Sequence, residues 1–285
     1  MRRSLLFIPS NNPAMLQNAD VFDADAVIFD LEDAVMLSEK DAAATLLKSF
    51  LAHFELSHIE KIVRINGLDT PLGLFDLDMV VCDQIDTIML PKATIKHVKE
   101  LADHLKKLEK KKKMMKDIRI IPIIESAQSL IDIHEIAKIQ KVSGLLLGAE
   151  DLATDLEVQR TEQGLEILMA RSMVILAAKA QKIDAIDTPY TSTLDTEGLL
   201  SDAKYAKSLG MNAKACIHPN QIDTINLTFS PSMHDIMYAE KVLLAASEAK
   251  SKNLGAFSVD GKMIDKPIIE RAEQTLKKAK AWKLV

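Results

Sequence analysis

The stretch Ser4-Leu5-Leu6-Phe7-Ile8-Pro9-Ser10-Asn11-Asn12-Pro13 decides between two folds that strand–helix alternation allows. Its first half is a short continuous apolar run, the pattern of a strand buried on both faces. A doubly wound dinucleotide-binding sheet opens such a strand into a glycine-rich G-x-G-x-x-G turn that cradles a pyrophosphate. Here the turn is Pro9-Ser10-Asn11-Asn12-Pro13, and the whole chain has only 9 glycines. Seven further runs of the same kind follow: Ala26–Phe29, Lys61–Ile65, Thr87–Leu90, Ile118–Ile124, Gly144–Leu147, Asp184–Ile186 and Ala213–Ile217. Between them lie stretches such as Ile95–Leu108 and Gly164–Ala180, whose apolar residues return every three or four positions, as on one face of a helix. Eight strand–helix units within about 220 residues predict an α/β protein of the (β/α)8 TIM-barrel type.

The pattern changes after the eighth run. Residues 1–228 are expected to form the barrel and 229–285 a C-terminal helical extension. Ser232-Met233-His234-Asp235 reads as a capping box opening a helix over about residues 233–252. Asn253-Leu254-Gly255 should end it, and an extended piece, Ala256-Phe257-Ser258-Val259, leads into Asp260-Gly261-Lys262. A last helix is expected to start near Pro267, since proline suits a first helical turn. A barrel has no need of this tail, which therefore packs outside it or acts as a lid.

Composition narrows the function. The 285 residues are 48% hydrophobic and 27% charged, enough for a sizeable core. Lys and Arg number 36 against 41 Asp and Glu, a formal charge of -5 that disfavours a nucleic-acid binder. The lysine-rich stretch Lys106, Lys107, Lys110, Lys111, Lys112, Lys113 and Lys116 has no interleaved aromatics and reads as a solvated face. Two cysteines, Cys82 and Cys216, leave no disulfide framework and read as packing residues of a reducing compartment. No apolar run approaches the roughly 20 residues that cross a bilayer, and the apolar part of Met1–Pro9 is too short for a signal peptide. The expectation is a cytoplasmic protein without a membrane partner.

Catalytic groups of such a barrel sit at the C-terminal ends of its strands. Run two ends in Phe29-Asp30-Leu31-Glu32-Asp33, and run three carries Arg64 with Asn66 behind it. Run four is followed by Lys92, run five by Glu125-Ser126, run six by Glu150-Asp151, run seven by Asp187 and run eight by His218. Taken alone, Asp33 or Asp151 is a helix cap, and His218 is either a structural rim residue or a contact to a bound acyl group. Together, so many carboxylates at one mouth would repel one another and resist ionisation unless a cation joined them. Ligands that are carboxylates only, with no His or Cys cluster, favour Mg2+ over zinc.

The motifs resemble the β subunits of citrate lyase, within the wider citrate lyase/malyl-CoA lyase group of (β/α)8 enzymes. The resemblance rests on an ordered set. It opens with Arg2-Arg3-Ser4-Leu5-Leu6-Phe7-Ile8-Pro9, Phe29-Asp30-Leu31-Glu32-Asp33-Ala34 and Glu39-Lys40-Asp41-Ala42. Val63-Arg64-Ile65-Asn66-Gly67-Leu68-Asp69-Thr70-Pro71, Leu90-Pro91-Lys92 and Ile124-Glu125-Ser126 come next. Leu147-Gly148-Ala149-Glu150-Asp151 and Gly261-Lys262-Met263-Ile264-Asp265 complete it. Ser10 stands where glycine is common in the family, and Ala215-Cys216-Ile217-His218-Pro219 replaces a version containing asparagine.

By that resemblance Glu125 and Asp151 would bind Mg2+ directly, with Glu32 and Asp33 holding its waters from behind. Arg64 would bind the substrate carboxylate beside Glu125 and stabilise developing charge. Asp265 matches a lid aspartate that in relatives reaches a neighbouring subunit's site, which implies a homo-oligomer, a trimer. The implied reaction cleaves a citryl thioester, on coenzyme A or an acyl carrier protein, to oxaloacetate and an acetyl thioester, with citrate lyase α and γ subunits as partners. The residues suit this chemistry, because a fixed cation such as Arg64 offsets charge that appears only in the transition state. A stand-alone malyl-, methylmalyl- or citramalyl-CoA lyase, or a malyl-CoA thioesterase, is the alternative. A non-catalytic scaffold would have no use for the Glu125, Asp151, Arg64 and Asp265 set.

Overall fold

The computed structural model describes residues 1–56, 58–251 and 257–285. Each of the eight expected runs is a strand: β1 Ser4–Pro9, β2 Ala26–Asp30, β3 Glu60–Arg64, β4 Thr87–Leu90, β5 Arg119–Ile124, β6 Gly144–Leu147, β7 Asp184–Asp187 and β8 Ala213–Cys216. All pair in parallel with their sequence neighbours, and β1 pairs with β8 from Ser4↔Lys214 to Leu6↔Cys216, so the sheet closes into a barrel. Helices alternate with them. After β1 to β3 come α1 Pro13–Gln17, α2 Lys40–His53 and α3 Pro71–Val80; after β4, α4 Ile95–Lys112. After β5 come α5 Ala127–Ile131 and α6 Ile133–Ala137, and after β6, α7 Ala149–Asp155 and α8 Leu168–Gln181. α9 Thr196–Leu209 comes after β7 and α10 Ile222–Phe229 after β8.

Local sequence accounts for these boundaries. α4 starts where the Thr94 hydroxyl accepts from the His97 amide at 3.1 Å, buries Val98, Leu101, Ala102, Leu105 and Leu108 on one stripe, and stops at left-handed Lys113 (φ 53°). Of the lysines at its end, one reaches the C-terminus of the neighbouring helix α3. Lys112 donates to the carbonyls of Asp78 and Val81, Lys116 pairs with Asp86, and the rest are largely exposed. Among the described residues, no helix is long and apolar enough to cross a membrane.

Side chains alternate in and out along each strand. Leu5, Ala26, Ile28, Ile62, Met89, Ile121, Ile123, Leu146, Ile186, Ala213 and Ala215 fill the barrel interior. Extending that parity to the strand ends brings Asp30, Arg64, Glu125, Gly148, Thr188 and Ile217 to the mouth. Asp187 has the opposite parity. The sequence expectation that it joins the mouth is corrected: it lies between sheet and helices, fully buried. There Arg171 of α8 donates to both Asp187 oxygens at 2.9 Å and to Asp202 of α9 at 2.6 Å. Lys214 of β8 donates to Asp187 and Asp202, each at 2.6 Å.

At the other end of the barrel, Arg2 donates to Glu60 at 2.6 and 2.7 Å and to Asp184 at 2.6 Å, joining β3 and β7, while the Thr87 hydroxyl donates to Glu60 at 2.7 Å.

The chain divides into two compact units, Arg2–Asn226 and Leu227–Val285 with Met1. In the second, Ser232 and Asp235 form the expected capping box at the start of α11, Met233–Ser251. The expected stop at Asn253-Leu254-Gly255, with Ala256, lies outside the described residues. Beyond it stands a hairpin of β9 Phe257–Val259 and β10 Lys262–Ile264, turned by Asp260 and Gly261 at φ 50° and 74°, the backbone such a two-residue loop requires. α12, Lys266–Ala281, closes the unit over a core including Ala239, Val242, Val259, Ile264 and Ala272.

The buried charges make the fold testable at two points. Asp187→Asn leaves Lys214 and Arg171 short of one buried negative charge and should lower unfolding free energy by about 3–5 kcal/mol; a change below about 1 kcal/mol in urea denaturation would contradict the pairing. Glu60 is one acid-sensitive site. Burial opposes its ionisation, but the hydrogen bonds and charge of Arg2 outweigh this and hold its carboxyl below the ordinary 4.5. Its stabilisation is therefore complete above pH 4.5 and lost as pH falls through the lower folded value. Melting midpoints against pH should show Glu60→Gln less stable at neutral pH but with a shallower acid decline.

Candidate active site

The mouth is organised around two neighbouring strand ends. Asp30 and Arg64 are register partners on β2 and β3 and face inward together. Arg64 Nε and Nη2 donate to the two Asp30 oxygens at 2.7 and 2.5 Å. The same carboxylate accepts from the amides of Glu32 (2.9 Å) and Ala34 (3.1 Å), so it shapes the loop while holding the arginine. Arg64 Nη1 lies 3.1 Å from Glu32 and 3.3 Å from Asp33, and the guanidinium carbon lies 4.9 Å from the Phe7 ring centroid. Burial opposes the charge on Arg64, but these carboxylates overcome it and raise its pKa. From α2, Lys40 Nζ donates to the carbonyls of Leu31 (3.0 Å) and Glu32 (2.8 Å) and to Asn66 (2.6 Å). The Asn66 side chain in turn donates to the buried carboxylate of Asp76.

Glu125 reaches the mouth from β5 and is 7% exposed. One carboxylate oxygen accepts from the Lys92 amide, presented by left-handed backbone at φ 49°. The other lies against Gly148, where an added Cβ would stand 2.7 Å from it and 2.8 Å from Ile123. Burial pushes the Glu125 carboxyl up to about 8, with Asp151 and Glu32 adding to the shift and the Lys92 amide and Arg64 opposing it. Glu32 rises to about 7 for the same first reason, opposed by Arg64 and reinforced by Asp33 and Asp30. Its buried Oε2 is ion-paired with Arg64 Nη1 at 3.1 Å but out of hydrogen-bond alignment.

Asp151 lies in the first turn of α7 and is exposed. Its neighbour Glu150 is held at 3.0 Å by Arg160, which also pairs with Glu166. Asp30, Asp33, Arg64, Glu125 and Asp151 line one cavity of about 430 Å3, whose remaining wall includes Phe7, Pro9, Ile123, Leu146 and Ile217. Of the six residues singled out from sequence, Arg64, Glu125, Asp151, Glu32 and Asp33 are thus brought together. Asp265 belongs to the C-terminal unit, where its carboxylate caps α12 by accepting from the Ile268 amide at 3.3 Å.

Sequence reasoning gave no role to Asp30, Lys40 or the missing side chain of Gly148. The inward parity of Asp30 and Arg64 on adjacent strands was the available signal. His218 stands at the rim and caps the turn after β8, accepting from the Asn220 amide at 3.2 Å. Burial pushes the Cys216 thiol up to about 12, which leaves it inert. Ser10 is buried with its hydroxyl unpartnered.

The donor set suits a hard cation. A buried carboxylate of raised pKa, a second carboxylate in the same cavity and the Glu32 carboxylate beside Arg64 all offer oxygen ligands. Among the described residues no group of three or more His, Cys, Asp or Glu side chains is gathered as a metal cage. A pair of protein carboxylates with waters is how Mg2+ is held.

Fold and site together define a (β/α)8-barrel protein with a carboxylate-lined pocket at the C-terminal ends of its strands. Residues 3–219 match the HpcH/HpaI aldolase/citrate lyase family, and the chain belongs to that family of carbon–carbon lyases. It is 38% identical over 284 residues to the citrate lyase subunit beta of Haemophilus influenzae, covering 99% of this chain and 98% of that one. It is 36% identical over 279 residues to a (3S)-malyl-CoA thioesterase of Cereibacter sphaeroides, covering 98% and 95%. The CitE protein of Mycobacterium tuberculosis, solved with magnesium, acetoacetate and coenzyme A, superposes with a TM-score of 0.79 at 31% identity, covering 98% of both chains.

Gly148→Ala tests the packing at Glu125. The backbone there has φ -91°, open to any residue, so the effect is steric alone. The variant should fold with a loss of about 1–3 kcal/mol, and its crystal structure should show the Glu125 carboxylate displaced from the Lys92 amide. An unmoved Glu125 would contradict this account of the glycine.

Proposed function

We propose that this chain is a Mg2+-dependent lyase that cleaves a citryl thioester to oxaloacetate and an acetyl thioester, as the β subunit of a citrate lyase. The observation that carries the proposal is the buried Glu125 carboxylate facing the cavity beside Asp151, opposite an arginine already fixed by Asp30. Glu125 and Asp151 would hold the cation, with Glu32 and Asp33 behind its waters. When bound, the cation polarises the substrate's hydroxyl and neighbouring carboxylate and neutralises the pocket's negative charge.

The chain's own groups supply the rest. Arg64 binds the substrate carboxylate, and its clamp by Asp30 means that no rotamer search precedes the reaction. The bond between the second and third carbons breaks. Its electrons pass to the thioester enolate, while the hydroxyl oxygen gives its proton to solvent water and becomes the keto oxygen. One proton must return to the enolate carbon, and Asp265 of a neighbouring copy would deliver it as general acid. The apolar wall of Phe7, Ile123, Leu146 and Ile217 limits water around the enolate.

A second reading, malyl-CoA cleavage or hydrolysis, draws on the near-equal identity to the malyl-CoA thioesterase. A side-by-side assay separates the two. Purified chain with Mg2+ is given citryl-CoA, malyl-CoA or citramalyl-CoA, with oxaloacetate followed by NADH loss through malate dehydrogenase and the other products by their own detection. EDTA-sensitive oxaloacetate release from citryl-CoA, with little turnover of the others, is the expected result. Preference for malyl-CoA would favour the second reading, and silence on all three, with carrier protein and partner subunits supplied, would overturn both. Glu125→Gln should stay folded and lose about a hundredfold or more in turnover; unchanged turnover would remove Glu125 from the metal site.

A further inference from the structure

The quartet Arg171, Asp187, Lys214 and Asp202 has no part in the proposed lyase chemistry. Two cations and two anions inside a fold are poor evidence of stability, since desolvation cancels much of their attraction. One hydrogen bond leads out of the quartet: Lys214 Nζ donates to the carbonyl of Thr188 at 2.7 Å. Thr188 comes directly after β7, is 1% exposed and lines the mouth cavity. Its hydroxyl oxygen accepts from the amide of Ala149 at 3.3 Å. Ala149 is the first residue of α7, fully buried, and two positions ahead of Asp151.

A continuous path therefore runs from the charges of α8, α9 and β8, through Thr188, to the start of the helix that carries Asp151. The turn before that helix needs such an anchor. Gly148 leaves room for Glu125, and a glycine by itself does little to restrain the chain's direction. The amide of Ala149 is one of the orphan donors at a helix start, and Thr188 supplies its acceptor from the neighbouring strand rather than from the helix's own cap.

We infer that Thr188 is a positioning residue for Asp151, locked by Lys214 and acting on divalent-cation affinity through the first turn of α7. This rests on the proposed role of Asp151 as a metal ligand. Side chains that orient a ligand from behind typically change metal affinity by about 10–100-fold when removed.

The test measures Mn2+ binding to the substrate-free chain by the loss of the free-ion EPR signal, beside thermal melting of each protein. Thr188→Val keeps shape and loses the acceptor, Thr188→Ala loses the acceptor and a methyl, and Thr188→Ser keeps the hydroxyl. The Val and Ala variants should bind Mn2+ at least about tenfold more weakly, and Thr188→Ser should stay near the parent. Wild-type affinity in a folded hydroxyl-free variant, or equal weakness in Thr188→Ser, would overturn the inference. So would a fall in melting midpoint with unchanged affinity, or failure of both hydroxyl-free variants to fold, since either makes Thr188 a fold residue only. Absence of Mn2+ binding by the parent chain would instead overturn the metal reading itself, and this inference with it.

Discussion

Negative charge crowded into a small, partly buried cavity is the constraint on which the mouth depends. Asp30, Asp33, Glu125 and Asp151 face one arginine there, with Glu32 beside it. Burial, reinforced by the neighbouring carboxylates, pushes Glu125 and Glu32 to about 8 and about 7. The protein gives part of the compensation itself. Arg64 is tied by two bonds to Asp30, and Asp30 is tied to the loop amides, so the cation stays where substrate charge would develop. The remaining negative charge is what a bound divalent cation would neutralise, and the proposed function rests on that remainder.

The scaffold serves this arrangement through parity and register. Because Asp30 and Arg64 are partners on adjacent strands, a one-residue slip of either strand would turn its own residue out of the mouth and break the pair. The Arg2–Glu60–Asp184 clamp joins β3 and β7 at the opposite end of the barrel. Lys40 fastens two carbonyls of the acidic loop from outside the cavity, which leaves the loop's carboxylates free to face inward.

Much of this is legible in the sequence, for physical reasons. Continuous apolar runs separated by helical spacing can bury both strand faces only beneath a layer of helices, so pattern alone leads to the eight strands and the barrel. Residues just beyond the runs belong at the mouth because parallel strands in a barrel all end on one side. Asp187 is the exception, and its parity explains it: Ile186 points in, so Asp187 points out, where Arg171 and Lys214 meet it. Roles made by tertiary contact lie beyond the pattern. Lys40 looks like any helix-start lysine, and nothing local shows that the missing side chain of Gly148 makes room for Glu125 from another strand. The tail's hairpin shows in the sequence only as an extended piece and a turn, since three-residue strands are too short to show alternation.

The central claim is that Glu125 and Asp151 together hold one divalent cation at the barrel mouth. Anomalous diffraction from crystals of this protein grown with Mn2+ tests it most directly. The account predicts one strong peak at the mouth, in contact with a carboxylate oxygen of Glu125 and one of Asp151, with waters in the remaining positions. An occupied cation elsewhere with that position empty, or a mouth peak that touches neither carboxylate, would contradict it.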